Sequence, residues 1–122
     1  MSGSAMNFEK QQATSPVPVP RDRRAHPRLA LQIQIELRQE GSDVPYRLQT
    51  SDLSKGGCYI QLMMTIPVGT WLNLTLWIGD SPVRVRGKVV TQHPQFGNGI
   101  MFVTFQGSGK ETLERYIDTM NV

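Results

Sequence analysis

Residues 29–38 read LALQIQIELR, a stretch in which large apolar side chains alternate with small or polar ones. Successive side chains of a β-strand point to opposite faces, so this period of two predicts a strand rather than a helix. With only one face apolar, the strand is expected to be half-buried, as in an antiparallel sheet that covers a core. The apolar face comprises Leu29, Leu31, Ile33, Ile35 and Leu37.

More strands are predicted further along the chain, separated by turns that contain glycine, proline or aspartate. Alternation and short apolar runs indicate strands over residues 46–52, 58–63, 71–78, 83–92 and 99–105, and residues 93–98 are predicted to form a loop. Six short antiparallel strands with frequent turns are typical of a small barrel.

The hydrophobic period changes near the C-terminus. Ser108 and Glu111 have the spacing of a capping box, in which the serine hydroxyl accepts a helix N–H and the glutamate reaches back. The apolar residues that follow at helical spacing are Leu113, Tyr116, Ile117 and Met120. A helix this short needs to dock on the sheet to persist. The predicted fold class is therefore all-β, a small six-stranded antiparallel β-barrel with one C-terminal α-helix.

The chain is predicted to hold one folded domain behind a tail. Residues 1–20 lack hydrophobic periodicity and are rich in Ser, Gly and Pro, which favours disorder. Residues 21–122 are predicted to form the barrel domain with its C-terminal helix. No apolar run approaches the roughly 20 residues of a membrane-spanning helix, and no signal sequence is apparent. We therefore expect no membrane insertion and a cytoplasmic location.

Composition argues against several classes of site. The formal net charge of +3 would suit nucleic acid, an anionic lipid surface or a phosphorylated small molecule. The single cysteine, Cys58, cannot form an intramolecular disulfide or build a zinc site alone, so no metal and no cofactor are expected. Because Cys58 lies within a predicted strand and no paired carboxylates are evident, we expect no catalytic residue and no enzyme activity.

Two short motifs carry the functional signal. The first has the form RRxxxR and the second, at residues 52–57, has the form DxSxxG. The guanidinium group of arginine can donate two parallel hydrogen bonds to phosphate oxygens or to O6 and N7 of guanine. A carboxylate instead accepts hydrogen bonds from the guanine N–H groups. Together the motifs suit an anionic, guanine-bearing ligand. The candidate binding residues are Arg23, Arg24, Arg28, Asp52, Ser54, Gly56 and Gly57.

In this order the two motifs resemble the signature of the PilZ domain family, bacterial receptors for the second messenger cyclic di-GMP. The resemblance extends from Arg23 to the C-terminal helix and includes weaker late-strand patterns at residues 85–90 and 99–102. It implies a six-stranded barrel with a C-terminal helix, and cyclic di-GMP as the ligand. It also implies a stand-alone, single-domain receptor whose output requires a separate, unidentified protein partner.

The resemblance further implies individual roles. Arg24 and Arg28 would grip guanine Hoogsteen edges and phosphate oxygens, and Asp52 and Ser54 would engage the other guanine. Arg23 resembles the pattern in members that bind an intercalated ligand dimer.

The arginine segment, residues 21–28, is predicted to be mobile until the ligand orders it over the barrel, because it is polar and carries like charges.

Each motif also has a purely structural interpretation. The arginines could be a solvated flank that keeps the barrel soluble. Asp52 and Ser54 could form an Asx or ST turn that satisfies local backbone N–H groups. Gly56 and Gly57 would then be required for backbone angles that a side chain forbids.

Two other functions remain open as alternatives. A small barrel could bind single-stranded nucleic acid through basic and aromatic surface residues, although no nucleic-acid partner is expected from the motifs. A PilZ-like adaptor without ligand affinity is the second alternative. The surface residues that the nucleic-acid hypothesis would use are Arg84, Arg86, Lys88, Trp71 and Trp77.

Overall fold

A computed structural model describes residues 28–120, so the predicted tail and the predicted domain boundary at residues 20 and 21 lie outside the described part of the chain. Six strands precede one helix within this part. In chain order they are β1 (Gln34–Gln39), β2 (Tyr46–Leu53), β3 (Gly57–Gln61), β4 (Trp71–Ile78), β5 (Ser81–His93), β6 (Gly97–Phe105) and α1 (Gly109–Met120).

The strands close into a barrel in the order β1-β2-β3-β6-β5-β4, and β4 pairs back with β1. Every pairing is antiparallel. The predicted fold class is therefore confirmed. In this ring β2 lies opposite β5, and β3 lies opposite β4, which separates the turn between β2 and β3 from the outer surface of β4 and β5.

The inward-facing residues of all six strands form one core, and α1 packs against it through Leu113 and Ile117, both buried. The helix approaches β5 so closely that a Cβ on Gly109 would lie 2.9 Å from the Val83 side chain. Among residues 28–120 no helix is long and apolar enough to span a membrane, α1 having 12 residues. The largest fully buried residues of the core include Ile35, Leu37, Leu53, Ile60, Leu72, Leu76, Ile100 and Leu113.

The first predicted strand is shorter than its alternation suggests. Regular pairing of β1 begins at Gln34, and the preceding residues are held instead by Thr50 of β2. The Thr50 hydroxyl accepts a hydrogen bond from the Ile33 N–H and donates one to the Leu31 carbonyl. The Thr50 N–H also donates to the Ile33 carbonyl at 3.0 Å, so the backbone and the hydroxyl of Thr50 together attach this segment.

The loop predicted at residues 93–98 is shorter in the structure, because β5 extends to His93 and β6 begins at Gly97. Gln95, with a φ of 68°, forms the turn between them.

Asn98 is fully buried, and its side-chain amide forms the hydrogen bonds that the backbone of the segment after β3 does not make with a strand. Its Oδ1 accepts from the Ile66 N–H at 2.8 Å, and its Nδ2 donates to the Ile66 carbonyl at 2.7 Å.

The helix begins one residue after Ser108, as the capping spacing predicts, but the hydrogen bonds at this end differ from a capping box. The Ser108 carbonyl accepts from both the backbone N–H and the hydroxyl of Thr112. Gly107, with a φ of 55°, turns the chain from β6 into the helix. Of the predicted apolar stripe, Met120 is exposed rather than packed.

The buried amide of Asn98 gives a stability prediction. Asn98→Ala would leave the Ile66 N–H and carbonyl buried without partners, and we expect it to lower the free energy of unfolding by about 2 kcal/mol or more. Urea denaturation measures this change. Asn73→Ala, at an exposed asparagine on β4, is the matched control and should change stability by less than about 0.5 kcal/mol. Equal stabilities of the two variants would contradict the assigned role.

Candidate ligand-binding site

The turn between β2 and β3 is organised by the Ser54 hydroxyl. Ser54 is buried, and its Oγ accepts hydrogen bonds from the N–H groups of Gly56 at 3.2 Å and Gly57 at 3.1 Å. The same hydroxyl lies 3.2 Å from the Gly57 carbonyl, to which it donates. The backbone N–H of Ser54 donates to that carbonyl as well. Ser54 therefore fixes the shape of the turn, as in the ST-turn interpretation, and its direct contact with a ligand stays a prediction.

The structure changes the interpretation of the two glycines of the motif. Neither Gly56 nor Gly57 has a positive φ, so the expectation of forbidden backbone angles is wrong. At Gly57 the constraint is steric, because a Cβ there would lie 2.1 Å from the Ile100 carbonyl oxygen on β6. The Gly56 carbonyl in turn accepts from the Phe102 N–H at 2.8 Å. Close approach of the turn to β6 thus requires glycine at position 57.

Arg28 and Asp52 are brought together by an isolated antiparallel bridge between their neighbours. The Leu29 N–H donates to the Leu53 carbonyl and the Leu53 N–H donates to the Leu29 carbonyl, both at 2.9 Å. As a result the Arg28 Nη1 lies 3.6 Å from the Asp52 Oδ2, with both side chains about a quarter exposed. The structure therefore unites one residue of each motif. The predicted mobility of residues 21–28 stays a prediction, because residues 21–27 lie outside the described part of the chain.

The other carboxylate oxygen of Asp52 is in an unusual position. Asp52 Oδ1 is buried and has no hydrogen-bond partner among residues 28–120. A buried, unpaired carboxylate oxygen is costly, so a donor is expected to reach it. The Arg28 guanidinium and the partly exposed Asp52 side chain together present one cationic donor and one strong acceptor at the edge of the turn, while Oδ1 itself is covered.

Cys58, the first residue after Gly57, is fully buried beneath this site. Burial, aided by the negative charge of Asp52, raises the pKa of the Cys58 thiol to about 12. The thiol therefore stays protonated at neutral pH and packs as a small apolar side chain, as the sequence predicts.

Lys55 connects the turn to the C-terminal helix. Its Nζ lies 2.7 Å from Asp118 Oδ1, and this hydrogen bond is the main cause of a raised pKa of Lys55. The sequence analysis missed this pair because Lys55 occupies a variable position of the motif and Asp118 lies far away in the chain. Apart from the opposite charges of the two residues, no pattern in the sequence predicts this ion pair.

The remaining predicted residues fall outside the site as described. Arg23 and Arg24 lie outside the described residues, so their predicted contacts are not tested. His93 lies at the end of β5, with its Nδ1 2.9 Å from the Tyr59 hydroxyl. Among residues 28–120 no group of three or more His, Cys, Asp or Glu side chains could hold a metal ion.

A closed six-stranded barrel with a C-terminal helix, and an arginine held beside the aspartate of a DxSxxG turn, define a specific class of domain. The PilZ domain family model matches residues 22–119, and the chain belongs to this family. No curated protein matches the sequence significantly.

Solved structures share the fold at low sequence identity. The inhibitor of motility MotI/DgrA of Bacillus subtilis superposes with a TM-score of 0.69 at 14% identity over 82% of this chain, which spans only 51% of that protein. The PilZ domain of YcgR from Escherichia coli, solved with c-di-GMP, gives 0.64 at 14% identity over 82% of this chain and 92% of its own.

A PilZ domain of CeSA from a cellulose-synthesizing bacterium gives a TM-score of 0.60 at 14% identity, covering 78% of this chain and 98% of that domain. At these identities the likeness establishes the fold alone.

The close approach at Gly57 gives a second prediction. Gly57→Ala would push β3 away from the Ile100 carbonyl, and we expect it to lower the free energy of unfolding by about 1–3 kcal/mol. Thermal or urea unfolding measures the change. Gln61→Ala, at an exposed position of the same strand, is the control and should be nearly neutral. An alanine variant as stable as the parent protein would show that β6 does not constrain this turn.

Proposed function

We propose that this chain is a cyclic di-GMP receptor whose site combines Arg28 with the Asp52 turn. The observation that carries the proposal is the Leu29–Leu53 bridge, which holds residues of both motifs within 3.6 Å of each other. Membership of the PilZ family and the fold shared with a c-di-GMP-bound domain support it.

The chemistry of the pair suits guanine. The Asp52 carboxylate, whose side chain is about a quarter exposed, can accept hydrogen bonds from the guanine N–H groups. Arg28 can donate to guanine O6 and N7 or to a phosphate oxygen. The Arg28–Asp52 separation of 3.6 Å exceeds the 2.7–2.9 Å typical of charge-assisted bonds, so a ligand can insert without breaking a strong ion pair.

The turn itself serves mainly to position the carboxylate. The N–H groups of Gly56 and Gly57 are engaged by the Ser54 hydroxyl, so the donors of this turn are directed inward rather than toward a ligand. We infer that Ser54, Gly56 and Gly57 contribute by fixing the backbone that carries Asp52. Direct contacts from these residues remain part of the hypothesis for the bound state.

The upstream arginines complete the proposed site. We propose that Arg24 grips the phosphates and second guanine edge, and that Arg23 permits an intercalated ligand dimer. Ordering residues 21–27 would cost roughly 1–2 kcal/mol each, which several charge-assisted bonds of about 1.5–3 kcal/mol must offset. Binding should therefore depend steeply on each arginine.

We propose that the chain passes its signal to a separate protein partner. We also propose that it acts in the cytoplasm, and that it is a receptor rather than an enzyme. The Lys55–Asp118 ion pair offers a mechanical connection, since it joins the ligand turn to α1. A free, buried thiol at Cys58 is compatible with a reducing compartment.

The nucleic-acid alternative receives less support from the surface. Arg86 lies 3.8 Å above the Trp71 ring and Lys88 lies 5.2 Å from its centroid, so that ring is covered and cannot readily stack on a base. An adaptor without ligand affinity would not need the Arg28–Asp52 arrangement.

Calorimetric titration with cyclic di-GMP tests the proposal, with cyclic di-AMP and GTP as competing ligands. Asp52→Asn keeps the shape of the side chain but loses its charge, and we expect it to weaken binding by about 1.5–3 kcal/mol, roughly ten- to hundredfold in Kd. Arg24→Ala and Arg28→Ala should nearly abolish binding. Arg115→Gln, an exposed arginine on α1, is the matched control and should bind like the parent protein.

The possible outcomes distinguish an error in the proposed function from an error in the assigned residues. No heat or spectral change with saturating cyclic di-GMP would refute the receptor function itself. Binding that survives in Arg28→Ala or Asp52→Asn would refute the assigned residues while leaving the ligand in place. Equal affinity for cyclic di-AMP would show that the carboxylate does not recognise guanine.

A further inference from the structure

A cluster of cationic side chains covers the outer surface of β1, β4 and β5, away from the proposed nucleotide site. Arg38 of β1 lies opposite Asn73 of β4, which in turn lies opposite Arg86 of β5. The rows on either side pair Thr75 with Arg84 and Trp71 with Lys88. We define the basic face by its cations, which are Arg38, Arg84, Arg86 and Lys88.

The centre of the basic face is concave. A cleft of about 400 Å³ lies between the rows of side chains. The side chains of Arg38 and Arg84 are exposed at this cleft, so they remain accessible to a partner. Its polar lining includes Arg38, Asn73, Thr75, Arg84, Arg86 and Thr104.

The two carboxylates near the cleft are already paired. Glu40 accepts from Arg86 Nε at 2.8 Å and from Arg86 Nη2 at 2.9 Å, a fork geometry, and Glu36 lies 3.5 Å from the Arg47 Nε of β2. Among residues 28–120, neither Arg38 nor Arg84 has a carboxylate within ion-pair distance. Because Glu40 and Glu36 are paired with Arg86 and Arg47, the cleft keeps the positive charges of Arg38 and Arg84.

We propose that the basic face docks an extended acidic segment of a partner protein. Arg84 and Arg86 lie two residues apart on one strand, a separation of about 6.6 Å between Cα atoms. Alternate carboxylates of an extended peptide have the same spacing, so one can meet Arg84 while the next approaches the Nη1 of Arg86, the nitrogen that Glu40 does not engage. Arg38, two strands away from Arg86 and thus about 10 Å distant, would take a third carboxylate.

The geometry favours carboxylates over a nucleic-acid strand. The Glu40–Arg86 pair shows that this face already holds one carboxylate in a bidentate arrangement, with Arg86 supported by the Trp71 ring. Because that ring is covered, the face lacks at this position the open aromatic platform on which single-stranded nucleic acids stack.

The basic face is independent of the nucleotide site. The Asp52 turn joins β2 and β3, which lie across the closed barrel from β5 and β4. A docked peptide would therefore leave Arg28 and Asp52 accessible. Failure of cyclic di-GMP binding would not affect this inference, and failure of peptide binding would not affect the proposed receptor function.

Amide chemical shifts of the full chain, titrated with a peptide of three Thr-Glu repeats, test the proposal. We expect saturable shifts at Arg38, Arg84 and Arg86, weakened by added salt because the contacts are exposed ion pairs. The double variant R38Q/R84Q should bind about three- to twentyfold more weakly. R115Q is the matched control and should bind like the parent protein.

A peptide of three Thr-Gln repeats and an oligothymidine strand complete the experiment. The proposal is overturned if the Thr-Glu peptide causes no shifts at millimolar concentration, or if the Thr-Gln peptide causes the same shifts. It is equally overturned if only oligothymidine binds the face. Because the Thr-Gln comparison uses the unaltered protein, the result stands even if the double variant folds poorly.

Discussion

Two backbone hydrogen bonds between Leu29 and Leu53 join the segment that enters the barrel to the end of β2. The candidate site depends on this bridge, because it places Arg28 beside Asp52. Leu53 is fully buried, so the bridge is anchored in the core rather than on a mobile surface. A fixed arginine reduces the ordering cost of binding, and only the residues upstream of it would need to be immobilised.

The barrel supplies the rest of the geometry through close backbone contacts. Gly57 allows the turn to lie against β6, and the Ser54 hydroxyl holds the turn in a single shape. Together these two constraints hold the Asp52 side chain so that it is about a quarter exposed while its Oδ1 is buried. The Lys55–Asp118 ion pair connects the turn to α1. A change in the turn on ligand binding would therefore be passed to the position of the helix.

The sequence predicted the fold well because a period of two is a local property of each strand. It placed Arg28 and Asp52 in one candidate site through their motifs and the family resemblance, but it did not predict their direct approach, which depends on a bridge between Leu29 and Leu53, distant in the chain. The start of β1 and the role of Gly57 were mispredicted for a similar reason. Both are decided by neighbours across the sheet, the Thr50 hydroxyl in one case and the Ile100 carbonyl in the other.

The central claim is that the Leu29–Leu53 bridge exists in the free protein. Hydrogen exchange at the Leu29 and Leu53 amides, followed by NMR without ligand, tests it most directly, because each amide donates one of the two hydrogen bonds. The account predicts that both amides exchange far more slowly than an unstructured peptide, like the amides of β2. Exchange of the Leu29 amide at the unstructured rate would show that Arg28 is not held beside Asp52, and would contradict the account.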